Sequence, residues 1–165
     1  MDELQTLIAG LGINLECNQK LPGHINGFYY KNEADEFILV NSKVKDEKEF
    51  RYTLAHELGH YFTTITTKSA FPYSIYTNIL NTHRNESRAI RWACDYLVPT
   101  YELIEFLKSE KDASVSDIAH EFEISEELLN MKFYFMSLDK TYWPVDEKRY
   151  LVLASLPSVY MYTPL

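Results

Sequence analysis

The chain is poor in cysteine. Cys17 and Cys94 are the only two in 165 residues, too few for a disulfide framework and without metal-ligand spacing between them. Positive charge is also scarce. Sixteen Lys+Arg against 24 Asp+Glu leave a net charge of −8. That argues against nonspecific binding to nucleic acid or to an anionic membrane, both of which need a positive surface. No apolar run approaches the ~20 residues of a membrane helix. The longest candidate, Tyr150 to Tyr162, is interrupted by Ser155, Pro157 and Ser158. Met1-Asp2-Glu3-Leu4 is acidic where a secretory signal is basic. There is no internal repeat and no low-complexity linker. Together these absences predict a soluble protein of a reducing compartment, most simply the cytoplasm.

What is present suits one globular domain over residues 1–165, with 46% hydrophobic and 24% charged residues. Aromatics reach 15%, led by 13 Tyr, and are expected to carry much of the core. Leu4, Leu7, Ile8 and Leu11 recur at helical spacing, with Asp2 as a cap and Gly10 and Gly12 as the stop. Ile13 to Cys17 alternates as a half-buried strand. Gly27 to Tyr30 and Phe37 to Val40 predict a hairpin around the polar stretch Lys31 to Glu36. A charged loop, Lys43 to Glu49, leads into a helix over Phe50 to Phe62. Thr63 to Thr82 reads as a long irregular loop, and Glu86 to Leu97 as a helix stopped by Pro99. Thr100 is placed to cap a helix through Lys108. Ser116 to Phe122 and Ser125 to Met136 predict two short helices, followed by a tail with one apolar run, Tyr150 to Ala154.

The sharpest signal is His56-Glu57-Leu58-Gly59-His60. Two His at i and i+4 lie one turn apart on one helix face, so both imidazoles can reach a single cation. The Glu beside them can act as general base on water that a zinc ion acidifies. Gly59 weakens a helix, which makes sense if something approaches its backbone closely. A catalytic zinc needs a third protein ligand and an open position. A third His six residues on is absent, since Thr66 stands there. Glu86, 26 residues after His60, is the favoured ligand, from a helix able to run antiparallel to the first. His83 is the alternative, as ligand or as a donor to the transition state. His24 and His120 have no partner spacing and read as structural or surface residues.

Arg51-Tyr52-Thr53-Leu54-Ala55-His56-Glu57-Leu58-Gly59-His60-Tyr61 resembles the zinc helix of the ImmA/IrrE family of metallopeptidases. Glu86-Ser87-Arg88-Ala89-Ile90-Arg91-Trp92-Ala93, followed by Tyr96-Leu97-Val98-Pro99, resembles that family's second motif. The resemblance implies an α+β, compact zincin-like domain: a small, mainly antiparallel sheet, the His-Glu helix and further helices. It implies one catalytic Zn2+ held by His56, His60 and Glu86, with Glu57 as base. It divides the chain into a peptidase core over 25–105, a helix-turn-helix-like extension over 106–136 and a tail over 137–165. Small Ala89 and Ala93 would let the two motif helices pack closely. Arg88 and Ile90 depart from the commonest pattern, where acidic or amide residues are frequent. The departure leaves the ligand set intact but does not show which carboxylate would orient a zinc-bound His. Family members often sit beside helix-turn-helix repressors in phages and mobile elements and act by cleaving them. The resemblance therefore implies a regulatory endopeptidase with such a repressor as partner.

Residues 117–128 have the outline of a helix-turn-helix themselves. Asp117, Glu121, Glu123, Glu126 and Glu127 surround the turn, and Lys132 is the single cationic side chain from Ser114 to Met136. Phosphates would be repelled, so direct nucleic-acid binding is not expected. A pair packing through Ile118, Phe122, Leu128 and Leu129 is. The alternative function is a zinc-binding regulator that holds a partner without cutting it. A backbone edge supplied by Phe37 to Asn41 or by Gly27 to Lys31 is expected to hold a substrate as an added strand.

Overall fold

A computed structural model describes residues 3–64 and 75–164, with side chains for all of these but 75–80. The cap expected of Asp2 and the middle of the expected long loop, 65–74, lie outside the described residues. The chain divides into two compact units, Met1–Ala93 and Cys94–Leu165, and the division falls within one long helix.

In the first unit, α1 (Glu3–Gly10) buries Leu4 and Ile8 and stops where Gly12 takes a positive φ of 74°. Strands β1 (Asn14–Gln19), β2 (Gly27–Lys31) and β3 (Glu36–Asn41) form a sheet of order β1-β3-β2. β1 runs parallel to β3, and β2 antiparallel to it. Asn32 sets the hairpin, its side-chain oxygen accepting from the N–H groups of Ala34 and Asp35, both at 2.8 Å. The central strand is β3, which buries Ile38 and Val40. It therefore offers no free edge, which leaves β2 of the two expected strands. α2 (Glu47–Thr63) starts earlier than its apolar pattern suggests, inside the charged stretch. Asp46 caps it by accepting from Glu49 N–H, and Glu47 and Glu49 sit where the helix dipole favours acids. The charges read as loop are thus a helix start. α3 (Ile75–Leu97) also begins earlier than expected, so 75–82 is helical rather than irregular.

The second unit holds the end of α3, then α4 (Thr100–Ser109), α5 (Val115–Glu121) and α6 (Glu126–Asp139). Thr100 does not cap α4. Pro99 precedes that helix without a side-chain cap, and the Thr100 hydroxyl turns to Lys132. Ser114 and Asp117 form a reciprocal capping box on α5, and Ser125 caps α6. The pair packs much as expected through Ile118, Leu128 and Leu129, with Phe122 only half buried. Lys132 is buried, so the surface of this pair is acidic throughout. The tail is more ordered than its sequence suggests. β4 (Tyr142–Pro144), β5 (Tyr150–Ser155) and β6 (Ser158–Tyr162) make an antiparallel sheet of order β4-β5-β6. The class is α+β, with small and mainly antiparallel sheets.

The cores are aliphatic, contrary to expectation. Among the described residues Phe133 and Phe135 are the only buried aromatics, while Tyr101, Tyr134, Tyr142, Tyr160 and Tyr162 are exposed. A phenol keeps its hydroxyl in water unless a partner is supplied inside, whereas Leu, Ile and Val have no such requirement.

Candidate metal centre

All the groups of this site belong to the first unit. α2 turns Leu54, Ala55 and Leu58 into the core, each fully buried. His56 and His60 then share a face, their rings 4.7 Å apart and nearly perpendicular. Gly59 explains how the next helix comes so near. A Cβ there would lie 2.8 Å from Ala89 Cα and 2.9 Å from its carbonyl carbon, so only glycine admits this crossing. Glu86 stands one turn before Ala89 on α3, and the close crossing delivers its carboxylate to the two imidazoles.

His56 Nε2 and His60 Nε2 are 3.1 Å apart. Glu86 Oε2 is 3.4 Å from His56 Nε2, and Oε1 is 3.3 Å from His60 Nε2. These three separations fit a metal. Ligands about 2.0–2.1 Å from a tetrahedral ion stand roughly 3.3–3.4 Å from one another. The donor set, two neutral imidazoles and one carboxylate, is that of a catalytic zinc. Glu86 is about half exposed at 46%, so the centre opens to solvent on its side. Glu86 lies mid-helix, which removes compensation of a helix start as a reason for its charge. His83 is exposed on α3 and does not join the group. Among the described residues His56 Nδ1 is buried without a hydrogen-bond partner, while His60 Nδ1 lies 3.4 Å from the Thr64 hydroxyl. Among the described residues no carboxylate meets His56 Nδ1. Burial, and then the neighbouring His60, hold the His56 imidazole below its ordinary pKa, against the pull of Glu86. That favours the neutral form a ligand needs.

Glu57 is only 5% exposed. Its Oε2 accepts from the backbone N–H of Tyr29 on β2 at 2.8 Å. Burial pushes its carboxyl up to about 7, against that hydrogen bond. A carboxyl poised there can take and return a proton near neutral pH.

A cleft of about 570 Å³ opens over the centre. His24, Asn26, Gly27, Tyr29 and Tyr52 line it together with the three metal-facing side chains and Glu57. His24, read from sequence as structural or surface, therefore belongs to the cleft wall. Its loop is held from below: the buried Asn41 donates through Nδ2 to the carbonyls of Leu21, Pro22 and Ile25 at 3.2, 3.3 and 2.7 Å. No spacing rule could have found His24, because its place depends on β2 being the sheet edge. Tyr52 could have been found, since it precedes His56 by one turn, and their rings lie 5.9 Å apart.

A family model described as the IrrE N-terminal-like domain, a peptidase family, matches residues 9–134. That span contains the sheet, both motif helices and the acidic helical pair. No curated protein matches the chain at a significant level. No described helix is long and apolar enough to cross a membrane. With most of its length matched, and a His-His-Glu group of metal-binding geometry inside the match, the chain belongs to the IrrE N-terminal-like family and carries a metallopeptidase-like domain.

Proposed function

We propose that the protein is a zinc-dependent endopeptidase with a regulatory role, cutting a partner protein such as a helix-turn-helix repressor of a phage or mobile element. The observation that carries the reading is the convergence of His56, His60 and Glu86 at 3.1–3.4 Å beside a buried Glu57. His56, His60 and Glu86 would hold the ion. When bound, zinc supplies Lewis-acid polarisation and acidifies water. Glu57 receives a proton on Oε1, which no described hydrogen bond occupies, and returns it to the leaving amine.

The substrate main chain has a place to pair. Asn41 N–H donates to Asn26 C=O at 2.8 Å, which sets the alternation along the β2–β3 ladder. Gly27, Tyr29 and Lys31 consequently turn their backbone groups to the free edge of β2. An extended peptide added there would lie along the cleft. The repressor as partner rests on the family resemblance alone.

Elemental analysis of wild type, His56→Ala and Glu86→Ala tests the reading. About one zinc per wild-type chain is expected, with loss in both variants while their circular dichroism stays that of the folded protein. Retention in Glu86→Ala would remove that residue from the ligand set. A reconstituted wild type without zinc would remove the peptidase reading altogether.

A further inference from the structure

The free edge of β2 does more than face the cleft. Tyr29 is one of the residues whose N–H points away from β3, and that N–H is already committed to Glu57 Oε2. The strand lies directly on the carboxylate. A Cβ on Gly27 would come within 2.8 Å of Glu57 Oε1 and 2.9 Å of its Cγ. Glu57 thus has little room to change rotamer, and one of its two oxygens is tied. Tyr29 is itself braced: its hydroxyl donates to Glu36 Oε2 at 3.1 Å, and its ring meets Tyr61 edge-on at 5.9 Å.

We propose that the backbone amide of Tyr29 is a positioning group for the base: it holds Glu57 Oε2 to the edge strand so that Oε1 alone is presented to the metal centre. The inference rests on the peptidase reading and adds a division of labour along β2. The amide of Tyr29 serves the enzyme's own carboxylate, and substrate pairing is left to Gly27, Lys31 and the Tyr29 carbonyl. The edge strand thereby sets substrate and base in one common frame, since both are referred to the same few backbone atoms. Gly27 is required because any larger residue would push the strand and the carboxylate apart.

Two measurements test this. The first is amide hydrogen exchange at Tyr29 in metal-free protein, wild type against Glu57→Ala. A hydrogen bond to this buried carboxyl oxygen should protect the amide, so exchange is expected to accelerate about tenfold or more in the variant. Unchanged exchange would overturn the proposal. The second is steady-state kinetics of zinc-loaded Tyr29→Pro against zinc-loaded Tyr29→Ala, on a quenched-fluorescent peptide that wild type cleaves. Proline removes the N–H without removing a ladder bond, because this N–H faces away from β3. Alanine removes the same ring but keeps the N–H. The proline variant is expected to have a kcat roughly tenfold or more below the alanine variant, with similar KM and zinc content. A raised KM at unchanged kcat would show that the amide serves substrate, and would overturn the proposal. Exchange that responds to Glu57→Ala in a chain that cleaves no peptide would instead overturn the peptidase reading while leaving the clasp in place.

Discussion

Two formally charged side chains are buried among the described residues, one in each unit, and they are treated in opposite ways. Lys132 in the second unit is 0% exposed and has its ammonium bound by Asp95 Oδ1 at 2.6 Å and Thr100 Oγ1 at 2.8 Å. Glu57 in the first unit has, among the described residues, one hydrogen bond, to a neutral backbone amide on Oε2. Burial is expensive for both. For Lys132 the cost is offset by an opposite charge, and the result is a tie between α6 and the α3–α4 corner. For Glu57 no described cation offsets it, and burial moves the carboxyl up to about 7. A buried charge with its partners supplied is a structural device. One that is half supplied, beside a cluster of possible metal ligands, is a candidate for a functional role.

The contrast can be broken most severely at Asp95. Asp95→Ala strands the Lys132 ammonium with a single hydroxyl partner, and should cost about 3 kcal/mol of stability. The lower end of the range for a broken buried pair applies because Asp95 is itself 52% exposed and reachable by water. Lys132→Met, which fills the same space without charge, should cost less than about 1.5 kcal/mol. Chemical denaturation of the two variants measures both. Equal losses would mean that the tie works as packing, and that the comparison with Glu57 is one of shape rather than charge.

The next effect concerns Glu57 and carries a sign. Its carboxyl lies at about 7 in the folded chain against an ordinary value of 4.5. Folding therefore favours the protonated form. That contribution is complete below pH 4.5 and is lost as pH rises through 7. His56, held low, acts in the other direction, losing stability as pH falls below its ordinary 6.5. Glu57→Gln isolates the first. In metal-free protein the variant should match wild type near pH 4.5 and exceed it by up to about 3 kcal/mol at pH 8. Zinc-loaded, it should lose about a hundredfold or more in peptide cleavage. A variant that gains no stability at high pH would mean that the wild-type carboxyl ionises without strain.

Much of this was legible in the sequence. The i, i+4 His pair predicts a shared ligand face, and Gly59 predicts a close approach, which proves to be the backbone at Ala89. The hairpin is announced by its aromatic and β-branched runs. What was hidden depends on partners distant in sequence. Thr100 has the chemistry of a cap, yet its hydroxyl is taken by Lys132, 32 residues away. The start of α3 at Ile75 lies in a Thr- and Asn-rich stretch of weak helix propensity, which composition alone does not announce. The tail's alternating tyrosines conceal a sheet because each strand is short and paired only locally. His24 and the Tyr29 amide reach the site through the order of strands, which one-dimensional spacing does not encode.

The smallest expected effect sharpens the comparison most directly. Thr100→Val keeps the shape of the side chain and deletes one of the two oxygens around Lys132. The ammonium would then stand as Glu57 does, buried with a single hydrogen-bonding partner. That partner is a charged carboxylate at 2.6 Å rather than an amide, so one strong interaction remains. The loss should be about 1–2 kcal/mol, the cost of one unsatisfied donor position on a buried ammonium. A denaturation midpoint measured on wild type and variant separates the cases. A loss of that size supports the reading of Lys132 as a charge that needs both its partners. No loss would mean that the Asp95 carboxylate alone satisfies the ammonium, and the two buried charges would then differ in degree alone.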